Sequence, residues 1–203
     1  MLLEFGRGNL IEKALQQPDK VRQTLQKIQT DGLSATLDAV RSKLDQPLPL
    51  GYCNAGVAHA VGREVVHVKA GDRVVSNAPH AEMAVVGQNL VAKIPDSVSD
   101  EEAAFTPLAA IALQGCRLAV PTLGETFAVL GLGLIGLMAV QLLRAHGCRV
   151  IGADFSKDRL DLARSWGAET LDLGAGVDPV AASLALTNGV GVDGVLIAAS
   201  AKG

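Results

Sequence analysis

The chain has 203 residues, of which 49% are apolar and 19% charged, and a net charge of −3. That length holds one large domain or two small ones, and the apolar fraction is enough for a real core. The near-neutral charge excludes a basic nucleic-acid footprint and a polybasic membrane-surface patch. Aromatics make up only 3% of the chain, so the core must be aliphatic, as in buried parallel sheets. Cys53, Cys116 and Cys148 lie far apart without metal-site spacing, so reduced thiols and a cytoplasmic protein are expected. The first twenty residues carry no long apolar run after a basic end, so no signal peptide is expected.

Residues 1–48 read as a helical segment. "PDKVRQTLQKIQTDG" places Val21, Leu25 and Ile28 at helical spacing, with Pro18 near the start and Gly32 at the stop. "SATLDAVRSKL" repeats the stripe with Leu37, Val40 and Leu44. Two short amphipathic helices with a packing or lid role are expected.

Residues 49–119 change character. "GVAHAVGREVVHVKAGDRVVS" alternates and is rich in Val, and "HAEMAVV" and "LVAKI" read as further short strands. The expectation is a small antiparallel β region, with His59 and His67 on its strands. His80 and Glu82 then share one strand face, as an acid–base couple or as structural residues. "SDEE" opens a helix by a capping box of Ser99 and Glu102, running to about Ala119.

Residues 120–203 alternate strand and helix. "TFAVLG" is a strand, "LIGLMAVQLLRAHG" a helix stopped by Gly147, and "CRVIGAD" a strand. "SKDRLDLARSWG" is a helix with Ser156 as N-cap and Gly167 as stop, and "AETLDL" a strand. "DPVAASLALTNG" is a helix with Pro179 at its first position, and "DGVLIAAS" the fourth strand. The apolar window "TFAVLGLGLIGLMAVQLL" is long enough to raise a membrane span, but its glycines favour strand followed by helix. The alternation predicts a parallel, doubly wound sheet.

"GLGLIG" supplies Gly131, Gly133 and Gly136 between a strand and a helix, and Asp154 ends the next strand about 20 residues on. In a dinucleotide site Gly131 permits the tight turn, Gly133 the approach of a pyrophosphate, and Gly136 close packing of helix on strand. Leu134 and Ile135 begin the helix whose unpaired amides would face the phosphates. Asp154 would accept the adenosine ribose hydroxyls, which favours NAD over NADP. Lys157 and Arg159 soften that preference, and Ala198, at the end of the fourth strand, completes the candidate cofactor site. His146 falls in the last turn of a helix, where the dipole favours a cation.

Taken together, "SDEEAAF", "TLGETFAVLGLGLIG" and "RVIGADFSKDRLDLARSWGAE" resemble the medium-chain dehydrogenase/reductase superfamily, which includes zinc alcohol dehydrogenases and zinc-free quinone reductases. "GVAHAVGREVVHVKAGDRVV" is similar to its GroES-like β domain. The helical start with "PLGYCNAG" resembles the dehydrogenase half of bacterial two-module oxidoreductases, which implies a second oxidoreductase module and sugar or polysaccharide chemistry. The resemblance implies a fold of Rossmann type with four strands of a truncated sheet, beside an incomplete GroES-like domain. It places further strands before Met1 and after Gly203, and implies a homodimer through the sheet edge.

Where zinc-type members read Gly-His-Glu, this chain has Gly51, Tyr52 and Cys53, and another ligand would fall near Leu108. A phenol and a leucine make a poor zinc set, so no catalytic zinc is expected. Tyr52 is then either a proton donor beside the hydride site or a half-buried side chain closing the cleft. Cys53 reads as a small buried residue rather than a nucleophile. The expected activity is NAD(P)-dependent hydride transfer at a carbinol or carbonyl carbon of a small molecule. The alternative is a non-catalytic NAD-binding module that supports a partner oxidoreductase domain.

Overall fold

The structure, a computed structural model, describes residues 50–199 together with Arg22, Gln26, Thr30 and Gly32. The chain divides into two compact units, Met1–Pro49 and Leu50–Gly203. In the first, Arg22, Gln26 and Thr30 are helical, with Thr30 Oγ1 donating to the Gln26 carbonyl at 2.7 Å. Gly32 sits at φ +85°, the left-handed conformation suited to a helix stop. The apolar stripes Val21–Leu25–Ile28 and Leu37–Val40–Leu44 lie outside the described residues.

The second unit starts with a three-stranded antiparallel sheet, β1 (Asn54–Val57), β2 (Arg73–Ser76) and β3 (Val91–Lys93), in that order. Ala55 faces Val75, and Val75 faces Ala92. Val75, Ile94 and Ala103 form its small core, with Ala55 and Val98 packed against it. Helix α1 (Asp100–Ala103) opens with the expected capping box: the Glu102 amide donates to Ser99 Oγ at 3.2 Å, and the Ser99 amide to Glu102 Oε2 at 3.0 Å. Arg73 holds α1 to the sheet through Asp100 at 2.7 Å and the Val98 carbonyl at 2.8 Å. Helix α2 (Thr106–Ala119) follows after a break at Ala104 and Phe105.

Much of the expected strand content of this region is absent. Residues 58–72 form a loop in which His59 and His67 are exposed and Val68 is buried, and "HAEM" is a run of bends, so His80 and Glu82 do not share a strand face. Leu90 belongs to a 3-10 turn ahead of β3. Alternation needs a neighbouring backbone to become a strand, and the loop is closed at its base instead, by Ala58 N–H to Asp72 O at 2.9 Å and Gly71 N–H to Ala58 O at 2.8 Å. Val66, within the loop, is 88% exposed.

The remainder is a parallel sheet of β4 (Thr126–Leu130), β5 (Arg149–Asp154), β6 (Glu169–Asp172) and β7 (Gly194–Ile197), ordered β6-β5-β4-β7. Helices α3 (Leu134–Ala145), α4 (Lys157–Ser165) and α5 (Pro179–Leu186) make the crossovers. The apolar window thus divides into β4 and α3, and among the described residues no helix is long and apolar enough to cross a membrane. One face packs Phe127, Val129 and Val150 against Cys116 of α2, Val140 and Leu143 of α3, and Leu160 of α4. The other packs Ile151, Ala153 and Leu171 against Ala182 and Leu186 of α5. Helices on both faces make the sheet doubly wound, built from aliphatic side chains and one buried Phe. Pro179 opens α5 with the Asp178 side chain capping the Val180 amide at 2.9 Å. Ser156 precedes α4 without a side-chain cap, its amide being turned instead to Asp154.

Candidate functional site

The strand order reverses at β4. The chain moves outward through β5 and β6, then returns to add β7 on the other side of β4. At such a switch point the loops beyond the carboxyl ends of the strands part and leave a crevice. The glycine motif lies at this point, between the end of β4 and the start of α3. The Gly131 amide donates to the Ala153 carbonyl and the Ala198 amide to the Leu130 carbonyl, each at 2.8 Å. The sequence candidates Gly131, Gly133, Leu134, Ile135, Gly136, Asp154 and Ala198 therefore gather at the carboxyl ends of the strands.

Two of the glycines are required by the protein itself. Gly131 has φ +91°, and a Cβ there would stand 2.7 Å from the Ala199 amide nitrogen. A Cβ on Gly136 would run into the Gly131 carbonyl oxygen. Gly133 differs: its φ of −70° and ψ of −170° suit any residue, and a Cβ there would meet nothing within 4 Å. It lines an open cradle that a side chain would fill, directly before an α3 N-terminus with no side-chain cap. Amides left over at such a terminus favour an anionic oxygen. The residues present thus fit the pyrophosphate of a dinucleotide.

Asp154 ends β5 only 7% exposed. The Leu132 amide donates to its Oδ2 at 2.6 Å and the Ser156 amide to Oδ1 at 2.9 Å, while the Arg159 guanidinium stands 3.6 Å from Oδ2. Burial alone would push this carboxyl up. The Ser156 and Leu132 amides and the Arg159 charge outweigh it, and the group is held below the usual carboxylate range. The carboxylate is thereby charged and fixed against the glycine loop. Lys157, the first residue of α4, is exposed. The Leu132 amide is the contributor that motif spacing misses, because a backbone donor leaves no mark in residue type.

Tyr52 belongs to a different element, the turn ahead of β1. It is 50% exposed. Cys53 is partly buried rather than fully so. Burial raises its thiol pKa, opposed by the Leu108 amide donating to the sulfur. Cys53 and the start of α2 are thus neighbours. Tyr52 and Cys53 offer one phenol and one thiol, and Leu108 offers no donor, which does not fit a catalytic zinc. Among the described residues no three His, Cys, Asp or Glu side chains stand close enough to hold a metal ion. His146 ends α3 with Nε2 3.0 Å from the Pro121 carbonyl.

Known proteins match this arrangement. The family described as zinc-binding dehydrogenase matches residues 135–202. The (R,R)-butanediol dehydrogenase of Bacillus subtilis is 31% identical over 72% of this chain and 50% of its own length. An alcohol dehydrogenase from Escherichia coli CFT073, complexed with NADH, superposes with a TM-score of 0.64 at 27% identity, over 75% of this chain and 54% of that one. A mycobacterial protein complexed with NADPH superposes with a TM-score of 0.64 at 29% identity, over 76% and 51%. The chain spans about half the length of the relatives it matches. With this sheet order, glycine loop and antiparallel β region in the same chain, it belongs to the medium-chain dehydrogenase/reductase superfamily.

Proposed function

We propose that this chain serves a nicotinamide-dependent oxidoreductase that uses NAD in preference to NADP. The supporting observation is the convergence of Gly131, Gly133, Gly136 and Asp154 at the switch point, with Gly133 bare for no reason internal to the fold. When bound, the nicotinamide would exchange a hydride with a carbinol or carbonyl carbon of a small molecule such as a sugar derivative. The chain's own residues bind and orient. The amides of Leu134 and Ile135 face the pyrophosphate, and Ala198 bounds the crevice on the β7 side. Asp154 accepts the ribose hydroxyls and opposes a 2′-phosphate, while Arg159 and Lys157 temper that opposition.

A reacting carbonyl needs a group to stabilise charge on its oxygen. Tyr52 fills that role as a hydrogen-bond donor, since the donor set around it does not suit zinc. In this reading residues 1–48 support, 49–119 carry the substrate side, and 120–203 hold the cofactor. A second oxidoreductase module and a second copy of the chain are the proposed partners. The test is titration with NADH and NADPH, followed by turnover on a panel of alcohols, aldehydes and quinones. NADH binding tighter than NADPH, with turnover that Tyr52→Phe diminishes, supports the reading. Binding without hydride exchange contradicts the enzymatic part, and tighter NADPH binding contradicts the role of Asp154.

A further inference from the structure

The turn that carries Tyr52 is stitched to residues 76–80 more tightly than an exposed turn requires. The His80 amide donates to the Leu50 carbonyl at 2.8 Å, and Asn54 Nδ2 to the Pro79 carbonyl at 3.4 Å. Between these bonds lies Gly51, at φ +75°, and its open side is filled by the His80 imidazole: a Cβ on Gly51 would run into the ring. The segment bringing His80 is itself anchored. Ala78 is buried, its amide donates to Ser76 Oγ at 3.3 Å, and the Asn77 amide donates to the Leu90 carbonyl at 3.4 Å. On the other flank the partly buried Cys53 lies beside the Leu108 amide. Within residues 50–54 the neighbours of Tyr52 are each fixed by a partner, while its own side chain is left exposed.

We propose that His80 is a positioning residue for Tyr52: its ring, seated on the Cα of Gly51, sets the turn that presents the phenol. This rests on the reading of Tyr52 given above. The ring acts by shape, so a phenyl group substitutes for it and a methyl group does not. Gly51 is glycine both for its positive φ and to leave room for the ring, and the second reason vanishes when the ring is removed.

Tyr52 is the chain's one tyrosine and Trp166 its one tryptophan, so two separate probes are available. Incorporation of 3-fluorotyrosine gives a single ¹⁹F line reporting on Tyr52, and Trp166 emission reports whether the parallel sheet is folded. His80→Phe is expected to keep the wild-type line, while His80→Ala and Gly51→Ala each move it with Trp166 emission unchanged. Adding Gly51→Ala to His80→Ala is expected to move the line less than Gly51→Ala moves it in the wild type, because the collision is gone and only the strain of the positive φ remains. On a substrate that turns over, His80→Ala is expected to lower kcat about tenfold with KM little changed, and His80→Phe to restore it, since small misplacements of an aligned group act on the chemical step. A His80→Ala line coincident with wild type overturns the proposal. So does a Gly51→Ala shift of equal size with and without the ring. Undiminished turnover in Tyr52→Phe would remove the catalytic reading of Tyr52 while leaving the ¹⁹F comparison intact, so the two failures are distinguishable.

Discussion

Gly133 and Gly136 stand one turn apart in the same motif, yet they are glycine for different reasons. Gly136 has the Gly131 carbonyl where a Cβ would go, so Gly136→Ala must displace backbone. It is expected to cost several kcal/mol, read as a fall in thermal midpoint. Gly133 has open space and ordinary dihedrals, so Gly133→Ala is expected to cost about 1 kcal/mol or less as a helix cap. It should nonetheless weaken cofactor binding tenfold or more, by about 1.4 kcal/mol, as the added methyl meets the pyrophosphate. If both variants lose stability equally, the separation of roles is wrong. Asp154 adds a pH signature. Its folded pKa lies below the unfolded one, so the stability it confers is complete above the unfolded value and is lost as pH falls through the folded value. Asp154→Asn is expected to flatten the acid limb of a denaturation profile below about pH 4, near the ordinary Asp value. An unchanged acid limb would show that the carboxylate is not held as its bonds imply.

At the level of elements, β7 is held to β4 by a reciprocal clasp at the foot of the sheet. The Thr126 amide donates to Asp193 Oδ2 at 2.8 Å, and the Asp193 amide to the Thr126 carbonyl at 2.8 Å. Thr126 is buried, so Asp193→Ala strands a donor and is expected to cost about 1–3 kcal/mol. Amide exchange should then accelerate in β7 before the rest of the sheet; uniform acceleration would place the loss elsewhere. The parallel sheet was legible in the sequence because each of its strands is bounded by a helix signal: Gly147, Gly167 and Pro179 punctuate it, and all sit where their conformational limits require. The β region was less so. "GREVVHVK" and "HAEMAVV" have strand composition, yet a strand is defined by its neighbour, and these segments have none among the described residues. The site divides along the same line. Asp154 and the glycines are marked by residue type and spacing. The Leu132 amide on Asp154 and the His80 ring on Gly51 arise from the path of the backbone, which residue type does not record.

At the scale of the whole chain, a charged carboxylate and a bare glycine cradle flank one switch point, while Cys53, next to Tyr52, meets the start of α2. The donor set predicts that metal analysis of the purified chain returns far less than one zinc per chain; stoichiometric zinc would overturn the assignment of Tyr52 as the electrophile's partner. The proposed function requires the switch point to bind a nicotinamide dinucleotide through Asp154 and the open face of Gly133. Calorimetric titration of wild type and Gly133→Ala with NADH and NADPH tests it most directly. Saturable binding of NADH by the wild type is expected, with weaker binding of NADPH and both weakened tenfold or more in a folded Gly133→Ala. Tighter binding of NADPH, or NADH affinity unchanged by the alanine, would contradict it.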